Sequence, residues 1–134
     1  MPEHRLRDPL RLMRATSLLQ SAVLFAQAVT AGLLLASVPA GRTVHGAMAG
    51  AVVLAVLLNL LAAVLTWRPG GGGPRLVVRS LPMVVLALVQ AVLGYAHVRE
   101  LHVPLGVLMF AASVLLAAQI RSAGRARPGA GAVS

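Results

Sequence analysis

Four long apolar runs, broken by short arginine-bearing segments, dominate the chain. They cover about residues 15–38, 43–67, 80–98 and 101–120, and none contains Asp, Glu, Lys or Arg. Each meets the roughly 20 residues an α-helix needs to cross a hydrocarbon core. Pro39 stops the first run. Pro82 and Pro104 are expected in the first turns of the third and fourth helices, where a missing N–H costs nothing. A signal peptide is the competing account of the first run. Its apolar stretch of about 24 residues exceeds the 7–15 of a signal sequence, and three more spans follow. The pattern predicts an all-α membrane protein: an up-down bundle of four transmembrane helices built from two similar hairpins.

Arginine placement orients that bundle. Arg5, Arg7, Arg11 and Arg14 precede the first span, Arg68, Arg75 and Arg79 lie between the second and third, and Arg121, Arg125 and Arg127 follow the fourth. The other two loops carry only Arg42 and Arg99. The positive-inside rule therefore puts both termini in the cytoplasm, with the plasma membrane as the expected location. On this division residues 1–14 are a basic cytoplasmic N-terminus and residues 15–120 the transmembrane domain. Residues 69–74, Pro-Gly-Gly-Gly-Gly-Pro, are a flexible cytoplasmic joint between hairpins. Residues 121–134 read as a disordered tail. The glycines of the joint lack the Lys-Ser/Thr and the preceding strand of a phosphate-binding loop.

Composition agrees and narrows the function classes. Hydrophobic residues make up 58% of the 134 residues and charged residues 11%, where soluble domains carry roughly 25% charged. The surrounding solvent is therefore lipid. A formal charge of +9 would suit a nucleic-acid binder, but the arginines are scattered between spans and aromatics are only 3%. Topology and anionic headgroups account for the charge better, so no nucleic-acid partner is expected. The absence of cysteine excludes disulfides, thiolate metal sites and thiol catalysis. Abundant Ala, Gly and Arg without Lys suit a high-GC bacterial gene.

The two hairpins share an order of residues. Gln27-Ala28-Val29 and Gly32 in the first are matched by Gln90-Ala91-Val92 and Gly94 in the second. After each, an outer loop leads to a histidine opening the next helix, His45 and His102. Both hairpins start inside, so the repeats would be parallel, related by an axis along the membrane normal. In a four-helix bundle the second and fourth helices stand diagonally, on the order of 13 Å apart. Two inward imidazoles at matching depth can then ligate one haem iron from opposite faces. The plainer role for either histidine is an anchor in the headgroup layer.

This arrangement resembles one four-helix half of the haem A synthase family, over about residues 17–120. The segment from Gln90 through Gly94 to His102 and Pro104-Leu105 carries most of the likeness. In that family each half holds a histidine pair at the outer ends of its second and fourth helices. The resemblance implies His45 and His102 as axial ligands of haem b, in haem handling or oxidase biogenesis. The family's acidic loop residue and frequent cysteine pair are missing from Ala40-Gly41-Arg42-Thr43-Val44-His45. What is implied is therefore the holding of haem, not its hydroxylation.

Other residues support weaker expectations. A two-membrane-face electron relay needs histidines at the inner ends too, and there are none. His97 is a minor candidate for an outer metal cluster with Tyr95 and His102, with Met48 and Met109 as soft ligands for copper. His4 reads as a solvated terminal residue. Gln27, Asn59, Gln90 and Gln119 give each helix an amide, expected to bond across helices. Gly32, Ala49, Gly50 and Gly94 are expected to allow close helix approach. No Ser–His–acid set, carboxylate pair or metalloprotease motif is present, and Glu100 is the one acidic residue beyond the N-terminal segment, so an enzyme is not expected. The alternative to haem binding is a cofactor-free membrane subunit or scaffold, packing against partner membrane proteins or forming a homo-oligomer.

Overall fold

A computed structural model of the chain describes residues 9–68 and 73–123. These residues form four α-helices: α1 (Pro9–Leu35), α2 (Gly41–Trp67), α3 (Arg75–Tyr95) and α4 (Arg99–Ala123). All four are long and apolar enough to cross a membrane. No more than about a third of each apolar span is buried, and the exposed side chains are apolar: Leu88, Val107 and Leu115 are each about 60% exposed. Water would oppose such a surface and lipid accepts it. The chain is a small multi-pass membrane protein with a four-helix bundle fold.

Each helix packs on its neighbours in a closed ring, α1 on α2, α2 on α3, α3 on α4 and α4 on α1. The backbones of α1 and α3, and of α2 and α4, stand diagonally without touching. This is the expected arrangement, with two helices facing each other across the core.

The helices run past the apolar stretches that reveal them. Arg and Leu are good helix formers, so nothing stops the backbone hydrogen bonding where the hydrocarbon ends. α1 accordingly begins at Pro9, and Arg11 and Arg14 lie within it. α3 begins at Arg75, which puts Pro82 well inside the helix instead of in its first turn. α4 begins at Arg99, so Pro104 is interior too. Each proline leaves the carbonyl four residues earlier, on Val78 and Glu100, without its usual donor. α4 continues to Ala123, so residues 121–123 of the segment expected to be a disordered tail are helical. Residues 1–8, most of the Gly-rich joint (69–72) and residues 124–134 lie outside the described part. Arg5, Arg7, Arg125, Arg127 and His4 fall there.

The outer turns are alike. After α1, Val38 N–H donates to Leu33 O and Ser37 N–H to Leu34 O; after α3, Val98 N–H donates to Leu93 O and His97 N–H to Gly94 O. Both are Schellman closures, in which a left-handed residue lets the chain satisfy the last carbonyls. Ser37 and His97 are that residue, with φ of 58° and 59°. So α1 ends on a left-handed serine before Pro39 is reached. The first loop is also closed by Gly41, where a Cβ would stand 2.8 Å from Leu34 Cα and 2.9 Å from Leu33 O. Only glycine fits there. By contrast Gly32 and Gly50, expected at helix contacts, have nothing within 4 Å of where a Cβ would be.

The core is stacked in layers along the bundle. At one end Met13, Ala62, Ala63, Leu116 and Ile120 form an apolar cluster. Above it lies a polar layer. Asn59 Nδ2 donates to Ser17 Oγ at 3.0 Å, Ser80 Oγ donates to Asn59 Oδ1 at 3.3 Å, and Gln20 Nε2 donates to Ser113 Oγ at 3.2 Å. Ser21 and Ser113 hydroxyls pair at 2.8 Å. These bonds tie α1 to α2 and α4, and α2 to α3, each contributing about 0.6 kcal/mol as interhelical bonds do in lipid. A second apolar cluster follows, of Leu24, Val52, Val56, Met83, Ala87 and Met109. The histidine layer stands beyond it. Asn59 thus bonds across helices as expected, whereas Gln119 is exposed on the lipid side of α4. Gln20, 1% exposed, is the second buried amide of the polar layer.

Candidate functional site

The outermost layer gathers Gln27 and Thr30 from α1, His45 from α2, Gln90 from α3 and His102 from α4. Measured from the left-handed turn residues, Gln27 lies ten positions before Ser37 and His45 eight after it; Gln90 lies seven before His97 and His102 five after it. Both arms of the first hairpin are therefore three residues, about one helical turn, longer than those of the second. Within each hairpin the Gln and the His still meet. Lengthening both arms by the same amount preserves their match in depth.

The two imidazoles come together. Their ring centroids are 6.2 Å apart with planes crossing at 80°, an edge-on arrangement. His45 and His102 thus meet across the diagonal between α2 and α4.

Their hydrogen bonds define which nitrogen carries the proton. His102 Nδ1 lies 3.1 Å from the carbonyl oxygen of Gln90. A carbonyl can only accept, so Nδ1 carries hydrogen, and in the neutral ring Nε2 keeps its lone pair. Gln90 Nε2 donates in return to His102 O at 3.0 Å. Gly94 makes room for the ring: a Cβ there would stand 3.1 Å from His102 Cε1. Gly106 does the same for the Gln90 amide, again at 3.1 Å.

His45 is held differently. Gln27 Nε2 is 3.3 Å from both His45 O and His45 Nε2. The contact to a carbonyl identifies that amide atom as the nitrogen, a donor, so His45 Nε2 accepts from it. Nδ1 then carries the proton and donates to Thr30 Oγ1 at 3.1 Å, while the Thr30 hydroxyl donates to Gln27 O at 2.9 Å. Thr30 and Gly106 were not evident from the sequence. The signal for Thr30 was its place one turn after Gln27.

The remaining candidates are not part of this layer. His97 is an exposed turn residue and Tyr95 is 90% exposed. Among the described residues no three His, Asp or Glu side chains gather in a way that could hold a metal ion. His97 therefore does not join His45 and His102, because its left-handed backbone puts it in the turn and not on a helix face. Met109 is buried in the apolar cluster, 1% exposed, and acts as packing. A shallow apolar groove of about 430 Å³ lies beside the site, between α3 and α4, lined by Val89, Leu93, Leu101, Pro104, Leu105 and Leu108. It takes no side chain from the histidine layer.

The chain matches no family model, and no curated protein or solved structure matches it.

Proposed function

We propose that this bundle holds one haem b, with His45 and His102 as its axial ligands, in a bacterial plasma membrane with both termini in the cytoplasm. Haem handling or oxidase biogenesis is the role this fits, not catalysis by the chain's own groups. The observation that carries the proposal is the imidazole pair at 6.2 Å on diagonal helices. Two metal–nitrogen bonds of about 2 Å each, plus the radii of two five-membered rings, come to about that span. Both rings hold their proton on Nδ1, the form in which Nε2 is the basic ligand atom.

The number of donors favours haem over a bare ion. Zinc takes three or four protein ligands, whereas a porphyrin already fills four positions of its iron and asks for two more. The apolar layer next to the histidines, with Leu24, Val52, Ala87 and Met109, offers the dry wall a porphyrin edge needs. The resemblance to one half of the haem A synthase family points to the same two residues. Bound there, haem would supply one-electron chemistry or be cargo for delivery.

The visible spectrum of protein expressed with ample haem and purified in detergent tests this. A bis-imidazole site gives a sharp Soret band with resolved α and β bands on reduction. His45→Ala and His102→Ala should each remove one ligand, and His97→Ala should change nothing. Colourless native protein would overturn the proposal.

A second reading, packing against partner membrane proteins or another copy, rests on Gly46 and Gly50. They lie four apart on α2, both exposed, with open space where each Cβ would be. Small residues at that spacing let another helix approach closely in lipid. Cross-linking that traps a second helix against Gly46 and Gly50 in colourless protein would favour it.

A further inference from the structure

We propose that the two histidines are unequal ligands: His102 presents an open Nε2, whereas His45 is capped at Nε2 by the Gln27 amide and ligates only when Gln27 moves aside. The haem-bound form of this statement rests on the function proposed above; the inequality itself does not.

The difference lies in what each glutamine does. Gln90 donates its side-chain amide to the His102 backbone carbonyl and accepts from His102 Nδ1–H on its own backbone carbonyl, so it fixes the ring and leaves Nε2 without a hydrogen-bond partner. Gly94, lying against the ring, removes the side chain that would otherwise displace it. Gln27 instead reaches both the backbone carbonyl of His45 and the ring Nε2 from one nitrogen. The lone pair that a metal needs is therefore already engaged. Thr30 acts in the opposite sense: by accepting from Nδ1–H it raises the basicity of Nε2. Gln27 and Thr30 are positioning residues that set the strength of one ligand from its two ends. His102 is then the anchoring ligand, and His45 the one that yields to an incoming small molecule or is released when haem is handed on.

The inequality can be read without haem. Diethyl pyrocarbonate modifies neutral imidazole through the free lone pair, and peptide mass mapping reports the rate at each histidine of the full chain in detergent. His97, exposed in the outer turn, calibrates the reagent. His102 should react about fivefold faster than His45, the ratio expected from one hydrogen bond of ordinary net strength. Gln27→Leu should raise the His45 rate to about that of His102, with Gln27→Met as the second variant. Unchanged His97 and His102 rates in these variants confirm that the fold is intact. Equal native rates, or a His45 rate that ignores both substitutions, would overturn the proposal.

With haem bound, carbon monoxide added to the reduced protein should displace His45. His45→Ala should keep haem and bind carbon monoxide more tightly, Thr30→Val should bind it more tightly than the native chain, and His102→Ala should lose haem on gel filtration. Retention of haem by His102→Ala but not by His45→Ala would reverse the assignment and so overturn it. Protein that takes up no haem sinks the proposed function, while the reagent rates still decide whether the histidines differ.

Discussion

Ser37 and His97 occupy the same point in the two hairpins, each the left-handed residue on which the outgoing helix ends, with φ of 58° and 59°. Neither has the side chain this conformation prefers. A residue with a Cβ gives up about 1–2 kcal/mol there, and glycine does not.

Ser37→Gly and His97→Gly should therefore each stabilise the bundle, by about 0.5–1 kcal/mol after glycine's own entropy cost. Reversible unfolding in mixed detergent micelles measures it. Destabilisation by His97→Gly would show that its imidazole does more than fill a turn.

A glycine-to-alanine series should separate close contact from open surface. Gly41→Ala meets Leu33 and Leu34 backbone, which cannot retreat, and should cost about 2–3 kcal/mol, the upper range for overpacking. Gly94→Ala meets a ring that can shift, and should cost about 1 kcal/mol while moving the His102 ring resonances. Gly32→Ala and Gly50→Ala should be neutral or stabilising by up to about 1 kcal/mol, from helix propensity. A reversed order in the same unfolding assay would contradict the helix contacts described.

Asn59→Leu should destabilise by about 1 kcal/mol, since it strips a donor from Ser17 and an acceptor from Ser80 in the core. Gln119→Leu, on the outer surface, should be neutral. Equal effects would mean that the polar layer contributes nothing to holding α1, α2 and α3 together.

Topology reporters check the orientation drawn from arginine placement. Fusions after Ser134 and within residues 70–73 should report cytoplasm, and fusions near Gly41 or Glu100 the outside. An external signal at Gly72 would invert the protein.

Much of the site was legible in the chain because it repeats. Gln27 and His45, and Gln90 and His102, announced two hairpins with a polar pair in each, and the structure brings all four into one layer. Gln119 shows the limit. As an amide inside an apolar run it looks like Asn59, yet it faces out, while Gln20, equally plain in the sequence, is buried. Pro82 shows another: the apolar run begins at about residue 80, but the helix begins at Arg75.

By itself, then, the sequence determined the number of spans, their order and the class of protein. Transfer into lipid is a sum over residues along a segment, and such a sum can be read from one dimension. The rotation of each helix about its axis was decided only by tertiary structure. Lipid and core are both apolar, so no stripe of polar residues marks the outward face as it would in water. Helix facing is settled by close packing and by which polar groups find partners: Asn59 with Ser17 and Ser80, Gln20 with Ser113, Gly41 against Leu33. The same contacts set the difference between His45 and His102, because a hydrogen bond depends on where an amide on one helix meets a ring on the next.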